Sequence, residues 1–373
     1  MKQFIKDKAK FLLFQYHHYQ HEKFYHQVMR INGIPDKPVV GERQWIKKWS
    51  GLGVKASPTQ YRVFSHYIGG DINIVPEDIC HDFIEPILNP QDYVGYYADK
   101  NVFDKLFPTG YMPKTIIRRM NGYWYSTDYS RIVNLTDDEL LNVLKDFKKV
   151  IVKPSVDGIS GVGIHLFIRE NERWKDAKNK NKLSVHLIES FGDDIIIQEA
   201  LNQHEYLNQF NDSSVNTLRL SIYKSVKDDM CHVTGAIMRI GGKGSIVDNA
   251  HAGGCYVGIE SDGTFCHEVL DQYGRKCSTF NGVDFGNDFV YPQWNEIVEF
   301  GKSVGRFVPH HRLLALDVII NDKGTPCLIE FNIFGYAPWP FQYTTGPAFG
   351  KYTDEIIEYC KSRLSKLEHV VYL

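Results

Sequence analysis

Apolar positions recur at helical spacing, without Gly or Pro, through KQFIKDKAKFLLFQYHHYQHEKFYHQVMR, which predicts one long amphipathic helix closing near Asn32-Gly33. From Pro35 to about Pro90, short helical and extended pieces alternate with turn residues. Beyond Tyr97 the pattern predicts a helix in ADKNVFDKLF, a break at Pro108-Thr109-Gly110, a helix around Asp137 to Phe147 and the apolar strand VIVKP. Strand-like runs follow in IIIQEAL, NTLRLSIYKS and CHVTGAIMRI, then a helix within PQWNEIVEFGKSVGRFV and the pair LLALDVII and PCLIEFN. Alternating strands and helices imply an α/β or α+β body.

The segment LLALDVIINDKGTPCLIEFN carries the most chemistry. Its two extended runs flank Asn321-Asp322-Lys323-Gly324, a turn signal that predicts a hairpin. With Ile320 facing Cys327, Asp317 lies opposite Glu330, and period two puts Asn332 on the same face as Glu330. Facing carboxylates repel unless a cation lies between them, and an all-oxygen donor set suits a hard ion such as Mg²⁺. The alternative is a solvated hairpin face, which the apolar flanks oppose because unpaired buried acids are expensive.

In VIVKPSVDGISGVGI a strand delivers Lys153 into a loop with Gly158, Gly161 and Gly163, where backbone N–H groups can approach phosphate oxygens; a plain glycine-rich turn is the alternative. In IIIQEALNQHEY, a strand ending in Gln198-Glu199-Ala200-Leu201 can offer backbone groups to an adenine edge, with Glu205 beyond it for ribose hydroxyls. Arg219 and Arg239 lie inside apolar strands, where an arginine needs either an anionic ligand or a structural carboxylate.

Composition narrows these readings. Lys and Arg total 43 against 45 acids, so the chain lacks the single-sign field of a nucleic-acid-binding protein. Seven scattered cysteines without a CxxC pair argue against a disulfide framework and for a reducing, cytoplasmic setting. Phe11 to Phe14 is the longest apolar stretch near the start, so no transmembrane segment is expected, and peripheral membrane contact by the first helix is the less favoured alternative to packing on the body. His17 and His21 have chelating spacing but no third ligand in the sequence. The aromatic surplus, 22 Tyr and 22 Phe, points mainly to core packing and in part to a ring-lined acceptor pocket near Tyr336 to Tyr343.

Taken in order, Asp99-Lys100, Lys153 before a glycine-rich loop, QEAL, and the D-x12-E-x-N run of Asp317, Glu330 and Asn332 resemble the ATP-grasp superfamily, the last spacing being similar to that of D-alanine–D-alanine ligases. NTLRL, VDNAHAGG and GYAPWPFQ are most similar to the sugar-transfer-associated ATP-grasp group found with bacterial polysaccharide genes. The resemblance covers about residues 97–345. It implies two α+β lobes, 97–200 and 201–373, after a mixed N-terminal domain at 1–96. ATP would lie between the lobes, its phosphates on Lys100 and Lys153 with Ser155, Gly158 and Gly161. Glu199, Ala200 and Leu201 would hold adenine, Glu205 the ribose, and Asp317, Glu330 and Asn332 one or two Mg²⁺ ions. Arg219 and Arg239 would clamp the transferred phosphoryl group. Lys105 competes with Lys100, which is favoured because it belongs to the DK pair. D-alanine ligases carry an arginine where this chain has Ala315, so that charge must come from Arg219, Arg239 or elsewhere. The 248–254 loop is expected to cover the site, with His251 a candidate substrate contact. The implied activity is an ADP-forming carboxylate–amine ligase acting through an acyl phosphate on an amino acid or sugar-linked acid; a small-molecule kinase and a non-catalytic nucleotide-binding module are the alternatives.

Overall fold

The computed structural model describes residues 2–156, 162–171, 173–245, 248 and 253–366. The first helix, α1, runs Lys2–Asn32 and stops where Gly33 adopts a left-handed φ of 63°. Shorter helices follow at Glu42–Trp49 and Pro58–Ile68, then a helical stretch from Glu77 to Leu88 interrupted by a π turn at Cys80–Ile84. The predicted helix in ADKNVFDKLF is only a 3₁₀ turn (Lys100–Val102) and one α turn (Phe103–Leu106). The one expected from Asp137 to Phe147 ends at Val143, though Thr136 and Glu139 start it with a complete capping box.

Two seven-stranded sheets form the body. The first contains β1 (Thr115–Met120), β2 (Tyr123–Tyr125), β3 (Arg131–Ile132), β4 (Lys149–Pro154), β5 (His165–Glu170), β6 (Arg173–Asp176) and β7 (Ile195–Glu199), in the order β3-β2-β1-β7-β4-β5-β6. The second contains β8 (Leu218–Lys224), β9 (Cys231–Ile240), β10 (Cys255–Ile259), β11 (Phe265–Leu270) and β12 (Lys276–Cys277). After a small ribbon, β13 (Thr279–Phe280) with β14 (Val283–Asp284), this sheet is completed by β15 (Leu313–Ile320) and β16 (Pro326–Asn332). Its order is β12-β11-β10-β9-β8-β15-β16. Every strand pairing among the described residues is antiparallel, so of the two expected architectures the α+β one is present.

Strand alternation decides which side chains reach the space between the sheets. On β4, Val150 and Val152 enter the core beneath the first sheet, so Lys149, Ile151 and Lys153 point the other way. On β15, Leu314, Leu316, Val318 and Ile320 pack with the helix Trp294–Arg306, leaving Ala315, Asp317 and Ile319 on the opposite face.

The N-terminal helices share a core with that face of the second sheet and with residues 336–360, joining Tyr25, Trp45, Trp49 and Phe64 to Tyr336, Phe341 and Tyr343. Most rings considered for an acceptor pocket are therefore core. Two buried amides fasten this core. Asn89 donates to Leu313 O and Ile333 O, and Gln342 accepts from Val75 N and donates to Val75 O. His17 pairs with Asp82 at 2.9 Å and His21 with Glu77 at 3.4 Å, fixing α1 to the helical stretch beside it.

Candidate active site

The hairpin forms as read, with one change of register. Ile319, not Ile320, faces Cys327, because a bulge between Asp317 and Val318 leaves Ile329 unpaired. The bulge shifts the count by one and still leaves Asp317 opposite Glu330, with Asn332 opposite Ala315. On its other side Asp317 faces Arg219 of β8.

The charges interlock. Arg219 donates through Nε and Nη2 to the two carboxylate oxygens of Asp317, at 2.9 and 3.0 Å, and Arg239 Nη2 reaches Asp317 Oδ2 at 3.1 Å. Burial alone would raise the Asp317 carboxyl, but the two guanidiniums outweigh it and hold its pKa below the usual carboxylate value. Asp248 accepts from Thr217 N and lies 3.6 Å from Arg239 Nε, a buried N–H with no hydrogen-bond partner among the described residues. Lys100 Nζ sits 2.9 Å from Glu330. The backbone brings Lys100 there: Asp99 caps Asn101 N, and Lys100 N donates to Ser155 O just beyond β4.

Lys153 stands apart. It is 8% exposed, lines the same space, and makes no hydrogen bond or ion pair with a described residue. Burial pulls its ammonium down to about 8, Glu330 opposing and Lys100 reinforcing the effect. A buried cation without a partner is costly unless an anion completes it.

These groups line one cleft of about 1460 Å³. It brings together Lys100, Lys153, Glu199, Ala200, Leu201, Glu205, Arg219, Arg239, Asp317, Glu330 and Asn332 of the residues expected from the sequence. Lys105 does not line the cleft; its ammonium lies 3.6 Å from the centre of the Tyr129 ring. Ser155 is buried and does not line the cleft; its backbone, not its hydroxyl, positions Lys100. Gly158, Gly161 and His251 lie outside the described residues.

At the connector, Glu199 Oε1 accepts from Lys114 N at 2.8 Å and Ala200 N donates to Lys149 O at 3.3 Å, so neither that carboxylate oxygen nor that N–H is free. Leu201 N has no partner among the described residues. Lys149 escaped the sequence reading. It lines the cleft, donates to Leu201 O at 3.2 Å, and precedes Lys153 by four residues along β4, an even spacing that puts both on one face and is the signal that marks it.

Asp317 and Glu330 face one another, and Asn332 spends its amide nitrogen on Ala315 O, leaving its oxygen. This donor set fits a hard divalent cation, provided Lys100 releases Glu330 and Asp317, whose two oxygens accept from Arg219 and Arg239, turns a remaining lone pair to the ion. Where D-alanine ligases carry an arginine, Ala315 is flanked by Ser221 and Asn332, and the positive charge near Asp317 comes from Arg219 and Arg239.

Two sheets enclosing a cleft walled by lysines, arginines and an acid-acid-amide hairpin define an ATP-grasp protein. The chain belongs to the sugar-transfer-associated ATP-grasp family, whose model matches residues 80–354. No curated protein matches it. Similar solved structures include the ATP-grasp ligase PsnB with its minimal precursor, at 12% identity over 73% of this chain and 64% of that one, TM-score 0.40. The D-alanine–D-alanine ligase from Coxiella burnetii is similar at 10% identity over 72% of this chain and 59% of that one, TM-score 0.39. The D-cycloserine synthetase DcsG is similar at 12% identity over 75% and 74%, TM-score 0.36. The chain thus spans less than two thirds of the length of the first two.

Proposed function

We propose that this cleft binds ATP with Mg²⁺ and that the chain is an ADP-forming carboxylate–amine ligase, acting through an acyl phosphate on an amino acid or sugar-linked acid in cell-surface polysaccharide assembly. The single observation that carries the nucleotide reading is Lys153, a buried ammonium aimed into the cleft with no partner among the described residues. Phosphate supplies the missing charge.

In this reading Lys153 and Lys100 take phosphate oxygens, Lys100 exchanging Glu330 for them. Leu201 N meets the adenine edge, and Glu205, exposed at the cleft wall, meets the ribose. Asp317, Glu330 and Asn332 would hold magnesium, which supplies neutralisation of phosphate charge when bound. Asp317 holds Arg219 and Arg239 side by side, so both guanidiniums are oriented before substrate arrives. The Arg239 Nε–H, without a hydrogen-bond partner among the described residues, can then meet the acid that attacks the γ-phosphoryl group. ADP leaves, an amine attacks the acyl carbon, and phosphate departs; the chain's part is positioning and charge compensation. The first lobe, 97–200, and the second, 201–373, contribute the two walls.

Trp339 also lines the cleft, set edge-on against Tyr256 at 5.5 Å and Tyr343 at 6.0 Å. A flat indole fixed this way suits the apolar face of a sugar ring. Trp339→Ala is expected to raise the acceptor KM roughly 3- to 10-fold, the worth of one aromatic contact, with the ATP KM unchanged. Steady-state kinetics with each substrate varied in turn checks this.

Phosphate bound to Lys153 restores its ammonium, so the proton is held more tightly in the complex than in the free protein, where its pKa is about 8. ATP affinity is therefore full below about pH 8 and falls as pH rises above it, by up to about tenfold per unit. Calorimetry in buffers of different ionisation enthalpy should show proton uptake on binding near pH 9. An ADP-release screen of amino acids against uronic-acid sugars tests the ligase reading. A condensed product supports it, whereas a phosphorylated but uncondensed product makes the chain a kinase.

A further inference from the structure

Helix α1 buries one face, Phe14, Tyr25, Val28 and Met29, and presents a different one to solvent. Leu12, Tyr16 and Tyr19 are 66%, 58% and 62% exposed. With Lys23 and Arg30, also exposed, they follow one another at spacings of four, three, four and seven residues, which keeps them on one stripe. Neither basic residue has an ion-pair partner among the described residues. The acids beside the stripe are Glu22 and Asp36, and both are engaged: Glu22 accepts from the Thr59 hydroxyl at 2.9 Å and Asp36 pairs with Arg62. The preceding sequence adds Lys2, Lys6, Lys8 and Lys10 against Asp7 alone.

Charge and shape select among occupants. A second copy docked through the same stripe would offer Lys23 and Arg30 no unengaged acid, since Glu22 and Asp36 are already paired. Tyrosine with an apolar body and a polar tip, beside lysine and arginine with long stems, suits the headgroup region of a bilayer. No described helix is long and apolar enough to cross one.

We propose that the outward stripe of α1 docks this protein on an anionic lipid surface. Leu12, Tyr16 and Tyr19 enter the headgroup region and Lys23 and Arg30 meet lipid charge. The docking is independent of the nucleotide cleft.

Co-sedimentation of the full chain with extruded vesicles tests this, comparing phosphatidylcholine alone with an equal mixture of phosphatidylcholine and phosphatidylglycerol. The protein is expected to pellet with the anionic vesicles only, less so at high salt. The double variant Lys23→Glu/Arg30→Glu should bind at least about 25-fold more weakly, about fivefold for each charge lost. The triple variant Leu12→Ser/Tyr16→Ser/Tyr19→Ser should also lose binding. Both variants change exposed positions and should keep the parent's melting temperature and nucleotide binding in solution. Absence of pelleting, equal pelleting with neutral vesicles, or full binding by the triple variant would overturn the proposal. So would a stable dimer that the triple variant dissociates, since the stripe would then belong to a second copy.

Discussion

Lys153→Met is expected to raise the melting temperature of the nucleotide-free protein while removing most of its affinity for ATP. The buried ammonium has a pKa of about 8 against 10.5 for an ordinary lysine. Between those values the unfolded chain binds more protons than the folded one, so the nucleotide-free protein gains stability as pH rises from about 8 to 10.5. At neutral pH it carries the whole penalty, of order 3 kcal/mol. Methionine keeps the length of the stem without the charge. The same change deletes a charged partner of phosphate, worth roughly 10- to 100-fold in affinity. Thermal melts at pH 7, with and without ATP, separate the effects: a higher melting point without nucleotide and a much smaller shift on adding it. A lower melting point without nucleotide would show that Lys153 is a structural residue instead.

Asp317→Ala and Glu330→Ala should both remove turnover, but for reasons that stability measurements tell apart. Asp317 is buried and compensates Arg219 and Arg239 together, so its loss leaves two cations without their carboxylate and should cost about 3 kcal/mol. Glu330 is 30% exposed in its side chain and pairs only with Lys100 among the described residues, so alanine there should leave the fold intact. Its turnover should still fall by at least about 10²-fold, as for other preorganised groups that offset charge on a reacting phosphoryl. Denaturant unfolding and ADP release measured on both variants check the contrast. Full turnover in Glu330→Ala would remove the hairpin from the mechanism.

The hairpin was the most legible part of the chain because its signals are local: two apolar runs, an Asn-Asp-Lys-Gly turn, and acids at a fixed period. Even there the bulge at Ile329 moved the register by one, since a bulge is set by the neighbouring strand and not by the turn. The short strands β1 to β3 were harder to read because Thr-Ile-Ile-Arg-Arg-Met carries two arginines, and what makes them tolerable inside a sheet lies far off in sequence: Asp104 for Arg118 and Asp193 for Arg119. Packing of the N-terminal helices against residues 336–360 was likewise invisible, because both sides are simply apolar. Convergence of Lys100 and Lys153 could be expected from motif order, but the contact that produces it, Lys100 N to Ser155 O, is backbone and leaves no trace in residue type.

The most direct test of ATP-driven carboxylate activation in this cleft is trapping with hydroxylamine. The protein is incubated with ATP, Mg²⁺ and each acid that stimulates ADP release, with hydroxylamine in place of the amine, and the products are weighed by mass spectrometry. A hydroxamate of the acid is expected to form in step with ADP in the parent protein and to be lost in Glu330→Ala. ADP formed with a phosphorylated hydroxyl and no hydroxamate would contradict that expectation.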